Sequence, residues 1–124
     1  MSLILIVEDN DKNMKLARDV LQSSGYATLE AITGEDGVRL ARERMPDLVL
    51  MNIQLPGISG IDALAQLRAD AATARIPVVA FTASVTPADR SQIAAAGFDG
   101  FLSKPINLKE FLETVRRRLE GGRA

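Results

Sequence analysis

The chain has 124 residues, 15 of them basic and 16 acidic, for a net charge of −1. It contains no cysteine and no histidine, which excludes disulfides, thiolate or imidazole metal sites, cysteine nucleophiles and Ser-His-Asp triads. Apolar residues make up 47% and charged residues 25%, the balance of one soluble globular domain rather than a disordered or strongly basic nucleic-acid-binding chain.

The first apolar run, residues 3–7, is dense and β-branched, as in a strand buried on both faces. Met14, Ala17 and Leu21 then recur on one helical face, and Gly25 ends that helix. A weaker strand is expected at 26–31. Thr33, with Asp36 three positions on, caps a second helix whose face carries Val38, Ala41 and Met45, with Pro46 closing it. Residues 48–51 form a third strand. Ser59 and Asp62 open a helix with Ile61, Leu64 and Leu67 on one face. A fourth strand is expected at 76–81. Thr86, Pro87 and Asp89 start a fourth, alanine-rich helix with few large anchors besides Ile93. The fifth strand is expected at 98–102, and Asn107 with Glu110 caps a last helix carrying Leu108, Phe111, Leu112, Val115 and Leu119.

Five β-α repeats predict a parallel sheet with helices on both faces. The domain is expected over residues 1–120, with 121–124 a frayed end and no output domain after Leu119. No apolar run approaches the roughly 18 residues of a membrane span, and no signal segment opens the chain, so a cytoplasmic location is expected.

Ligands of such sheets bind beyond the carboxyl ends of the strands, where strand order reverses. The residues there are Glu8, Asp9, Asn10 and Asp11; then Asn52, Ile53, Gln54, Leu55 and Pro56; then Thr82, Ala83 and Ser84; then Ser103, Lys104 and Pro105. Adjacent acids can simply favour a following helix N-terminus. Acids, a hydroxyl and a lysine on one rim instead suggest a hard cation and an anion clamp for a phosphoryl group.

The stretches ILIVEDN at 4–10, PDLVLMNIQLPGISG at 46–60, PVVAFTA at 77–83 and FLSKP at 101–105 carry a family resemblance along essentially the whole chain. The sequence resembles a bacterial response-regulator receiver domain, and among these the single-domain receivers of the DivK kind. The resemblance implies a flavodoxin-like (βα)5 fold with strand order 2-1-3-4-5. It implies that Glu8 and Asp9 hold Mg²⁺, Asp9 directly and Glu8 through water, with the backbone carbonyl of Gln54 as a third ligand. Thr82 matches the hydroxyl that moves toward the phosphoryl group, and Lys104 the lysine that pairs with it, ahead of a cis Pro105. Phe101 matches an aromatic that swings inward on activation; read alone, it is a strand residue of the core.

Asn52 departs from the pattern, because the family's phosphoacceptor there is an aspartate. A carboxylate can attack a phosphoryl donor, whereas a carboxamide oxygen is neutral and weakly nucleophilic. Residue 52 is therefore expected not to be phosphorylated, and Mg²⁺ to bind more weakly. Two origins stay open: an introduced Asp→Asn exchange that mimics the unphosphorylated state, or a natural pseudo-receiver independent of phosphorylation. Relief of repulsion among three carboxylates predicts that Asn52→Asp lowers metal-free stability by roughly 1 kcal/mol.

The expected partners are a histidine kinase, a histidine phosphotransferase or another signalling protein, through residues 87–118. An Mg²⁺-dependent phosphohydrolase would need a nucleophilic aspartate at a strand end, which Asn52 denies it, so no enzyme is expected. No GxGxxG or GxxxxGK[ST] supports nucleotide binding. Arg116, Arg117 and Arg118 lie where cations favour a helix C-terminus, and no aromatic platform accompanies them, so no DNA binding is expected.

Overall fold

The computed structural model describes residues 1–83 and 86–121. Strands β1 (Leu3–Val7), β2 (Ala27–Ala31), β3 (Leu48–Met51), β4 (Val78–Thr82) and β5 (Gly100–Ser103) alternate with helices α1 (Asp11–Ser23), α2 (Gly34–Arg44), α3 (Gly60–Ala69), α4 (Pro87–Ala96) and α5 (Leu108–Gly121). The five strands form one sheet in the order β2-β1-β3-β4-β5, and every pairing is parallel. This is the flavodoxin-like (βα)5 fold expected from the sequence.

The central strands β1, β3 and β4 are almost entirely apolar because both their faces are covered. Ile4, Ile6, Leu48, Leu50, Val79 and Phe81 pack with Met14, Ala17 and Leu21 of α1 and with Phe111 and Val115 of α5. The alternate residues Leu5, Val7, Val49, Met51 and Val78 pack on the other face with Val38 and Ala41 of α2 and with Ala63, Leu64 and Leu67 of α3. A side-chain period of two sends successive residues to opposite cores. Among the described residues, no helix is long and apolar enough to cross a membrane.

Thr33, Ser59 and Thr86 each accept a hydrogen bond from the backbone N–H three residues on, and Asn107 Oδ1 accepts one from Glu110 N–H at 3.1 Å. These are the starts read from the sequence. The start of α1 was not among them: Asn10, placed on the rim by its position, caps α1 by accepting from Asn13 N–H at 3.0 Å.

Some boundaries and faces differ from expectation. β4 begins at Val78 rather than residue 76, since Pro77 has no N–H and the Val78 N–H is taken by the Asp99 carboxylate at 2.9 Å. β5 accordingly starts at Gly100 rather than residue 98, and β2 at Ala27 rather than residue 26. Met45, expected on the buried face of α2, lies past its end with φ +47 and is 47% exposed. Pro46 disfavours the right-handed helical region for the residue before it. Leu108 is 55% exposed rather than buried, because it is the first residue of α5 and faces outward before the apolar stripe begins. Ser84 and residues 122–124 of the expected frayed end lie outside the described residues.

Candidate functional site

The order of the strands reverses beside β1, and β1 and β3 are neighbours in parallel register, Val7 opposite Met51. The ladder runs one residue further, with Asn52 N–H bonded to Val7 C=O at 2.9 Å and Glu8 N–H to Ala31 C=O at 2.9 Å. Glu8 and Asn52 are thereby fixed by backbone bonds at the carboxyl edge of the sheet, with Asp9 next in the chain after Glu8, where the topology opens a crevice.

Asn52, 6% exposed, sits at the centre of the cluster. Its Nδ2 donates to Glu8 Oε2 at 3.0 Å, to Asp9 Oδ1 at 3.1 Å and to the Gln54 carbonyl oxygen at 2.9 Å. Two amide hydrogens thus face three acceptors, so one hydrogen is shared. Glu8 is fully buried. Its Oε2 also accepts from Asn10 N–H at 3.1 Å, while Oε1 pairs with the Lys104 ammonium. Asp9 is exposed and forms the outer lip.

Lys104 reaches this pocket from β5. Its backbone N–H bonds to Thr82 C=O at 3.0 Å, which couples the ends of β4 and β5. Its Nζ lies 4.9 Å from the centre of the Phe81 ring, a distance at which the ring face favours a cation. The Lys104–Pro105 peptide is cis. Thr82 is 2% exposed and borders a cavity of about 300 Å³ with Gln54, Ser59, Asp89 and Gln92. Phe101 is half-buried, and the Arg90 guanidinium stacks over its ring at 5.1 Å.

Two features of the site had not been singled out in the sequence. Phe81 read as a strand residue alone, yet its ring flanks the lysine. Gly60 allows the loop after β3 to fold back under Asn52. A Cβ there would lie 2.1 Å from the Asn52 carbonyl oxygen, and the Gly60 N–H bonds to Ile53 C=O at 2.8 Å.

Two carboxylates and a backbone carbonyl converging on one point form an all-oxygen donor set, which suits a small hard cation. The fit is qualified by what stands at that point, because an amide NH2 is within hydrogen-bond distance of all three oxygens.

The comparisons with known proteins agree along the chain. The response regulator receiver domain model matches residues 4–116. The polar-differentiation response regulator DivK of Brucella ovis is 43% identical over 116 residues, covering 94% of each chain. The receiver domain of the sensor histidine kinase PA1611 from Pseudomonas aeruginosa superposes with a TM-score of 0.90 at 32% identity, covering 96% of this chain and 98% of that one. That structure has a magnesium ion coordinated in its active-site cleft. The chemotaxis protein CheY4 of Vibrio cholerae, at 24% identity and a TM-score of 0.88, shares the fold over 94% of this chain and 98% of its own. This chain therefore belongs to the response regulator receiver domains, the signal-receiving modules of two-component systems.

Proposed function

We propose that this receiver signals by protein contact in the cytoplasm as a stand-alone module, and that it stays in the unphosphorylated state at residue 52. One observation carries the reading. The residue at the end of β3, where Glu8, Asp9 and the Gln54 carbonyl converge, is a carboxamide. Its NH2 faces the acidic pair, and neither amide atom is a competent nucleophile toward a phosphoryl donor.

The surrounding residues fit the roles that the resemblance implies. Glu8, Asp9 and the Gln54 carbonyl would hold Mg²⁺, which supplies positive charge for an incoming phosphoryl group. Lys104 and Thr82 would face that group, with Lys104 held ready by Glu8. Thr82 and Phe101 would form the switch element, the Phe101 ring lying under the Arg90 guanidinium. Phe101, Arg90, Ile93, Ala94 and Phe98 line a largely apolar groove of about 220 Å³ between α4 and β5. This groove falls within residues 87–118, the proposed contact face for a histidine kinase, a phosphotransferase or another signalling protein.

Intact-mass spectrometry after incubation with a small-molecule phosphodonor and Mg²⁺ tests the reading. This chain should gain nothing, and Asn52→Asp should gain one phosphoryl group. An adduct on the unmodified chain would overturn the proposal. If neither chain gains the group, the protein is a pseudo-receiver working by contact alone.

A further inference from the structure

We propose that the Asn52 carboxamide is a built-in substitute for the divalent cation, and that its NH2 group competes with metal for the same three oxygens. The inference rests on reading Glu8, Asp9 and the Gln54 carbonyl as the metal-ligating set. It goes beyond the loss of one negative charge, because it assigns the amide an active blocking role.

The orientation of the amide follows from chemistry. Glu8 Oε2, Asp9 Oδ1 and Gln54 O are all acceptors, at 3.0, 3.1 and 2.9 Å from Nδ2. Turning the amide over would set Oδ1 against two carboxylates and a carbonyl with no hydrogen between them. Such an arrangement leaves buried acceptors unsatisfied and repelling. With NH2 inward, the fully buried Glu8 has its Oε2 served by Asn52 and Asn10 and its Oε1 by Lys104. The burial of that carboxylate is thus compensated by side chains and backbone alone.

A cation at this point must displace the NH2 group. Asn52 then gives up its three hydrogen bonds and turns Oδ1 inward, where it is a neutral and weaker ligand than a carboxylate. This produces an ordering that charge alone does not. If Asn52 merely lacks a charge, Asn52→Ala should bind metal no better than the unmodified chain, since alanine offers no oxygen at all. If the NH2 group blocks the site, Asn52→Ala should bind metal better.

The test is the thermal midpoint of the full chain and of both variants, in chelator and in about 10 mM MgCl2. Asn52→Asp is expected to rise by about 5 °C, as a dissociation constant near 1 mM would give. Asn52→Ala is expected to rise by about 2 °C, and the unmodified chain by less than about 1 °C. A second readout needs no variant to fold stably. In the ¹⁵N–¹H spectrum of the unmodified chain, the Asn52 side-chain NH2 pair should exchange slowly with water and stay in place as Mg²⁺ is added. A rise for the unmodified chain equal to or larger than that of Asn52→Ala overturns the proposal, as does an NH2 pair that exchanges like an exposed amide. An Asn52→Asp chain indifferent to Mg²⁺ also overturns it, by removing the metal-site reading beneath it. Neither readout involves phosphorylation, so a phosphoryl adduct on the unmodified chain would defeat the proposed function while these measurements still decide the role of the amide.

Discussion

Lys104 pairs its ammonium with Glu8, the lysine side chain 12% exposed and the carboxylate fully buried. The pair joins the end of β5 to the end of β1, across β3 and β4. Two buried opposite charges compensate each other's desolvation only while both are present. Removing the lysine leaves Glu8 with the Asn52 amide and the Asn10 N–H on one oxygen and no counter-charge on the other. Lys104→Met is therefore expected to destabilise the fold by about 3 kcal/mol in urea denaturation. Glu8→Gln combined with Lys104→Met should cost clearly less than the sum of the single changes, because both charges leave together. Additive losses would show that the pair is not coupled.

Asn52→Asp should lower metal-free stability by about 2 kcal/mol, more than the 1 kcal/mol that charge repulsion alone suggests. The geometry supplies the difference. The substitution replaces three donated hydrogen bonds with an anion facing two carboxylates and a carbonyl. The check is the urea midpoint of both chains in chelator, with the denaturant slope unchanged. Equal midpoints would mean that the amide contacts contribute nothing to folding.

Glycine substitutions should separate steric from conformational requirements. At Gly60 a Cβ would meet the Asn52 carbonyl oxygen at 2.1 Å and the Ile53 Cα at 2.9 Å, both backbone. Backbone cannot yield as a side-chain tip does, so Gly60→Ala should cost about 3 kcal/mol and disturb the Asn52 side-chain resonances. Gly97 closes α4 with φ +101 and has nothing near its missing Cβ. Gly97→Ala should cost only about 1 kcal/mol, the strain of a left-handed residue, and leave Asn52 untouched. The two effects are read from denaturation midpoints and a ¹⁵N–¹H spectrum.

The sheet was legible because strands buried on both faces leave near-continuous apolar runs, as at 48–51, and because capping residues such as Thr33 and Ser59 act on the N–H three positions on. Both signals are local. Periodicity places Met45 on the buried face of α2, while the restriction from Pro46 acts on the backbone and leaves no trace in hydropathy. The convergence of Glu8, Asp9, Asn52 and Gln54 followed from strand ends meeting on one edge. The direction of the Asn52 amide did not, because it depends on three acceptors brought together by the sheet. Contacts between distant residues were also hidden, above all that between Arg68 and Asp99, which are 31 positions apart.

Arg68 leaves α3 to fasten the opposite, amino-terminal end of β4. Its guanidinium donates to Ile76 C=O at 2.7 Å, to Ala74 C=O at 3.2 Å and to Asp99 Oδ2 at 2.8 Å. Asp99 Oδ2 also accepts the Val78 N–H at 2.9 Å, while the Asp99 N–H bonds to Val78 C=O at 2.8 Å. The side chains are only 16% and 11% exposed, so water does not readily replace a lost partner. Asp99→Ala leaves an arginine and a strand N–H short of their acceptor, and should cost about 3 kcal/mol in urea denaturation. Asp99→Asn retains a side-chain oxygen for Val78 and Arg68 but not the charge, and should cost about 1 kcal/mol. Because this strut lies at the far end of the strands from Asn52, neither change should alter the Mg²⁺ response of an Asn52→Asp background. A changed response would show that the two ends of β4 are energetically linked.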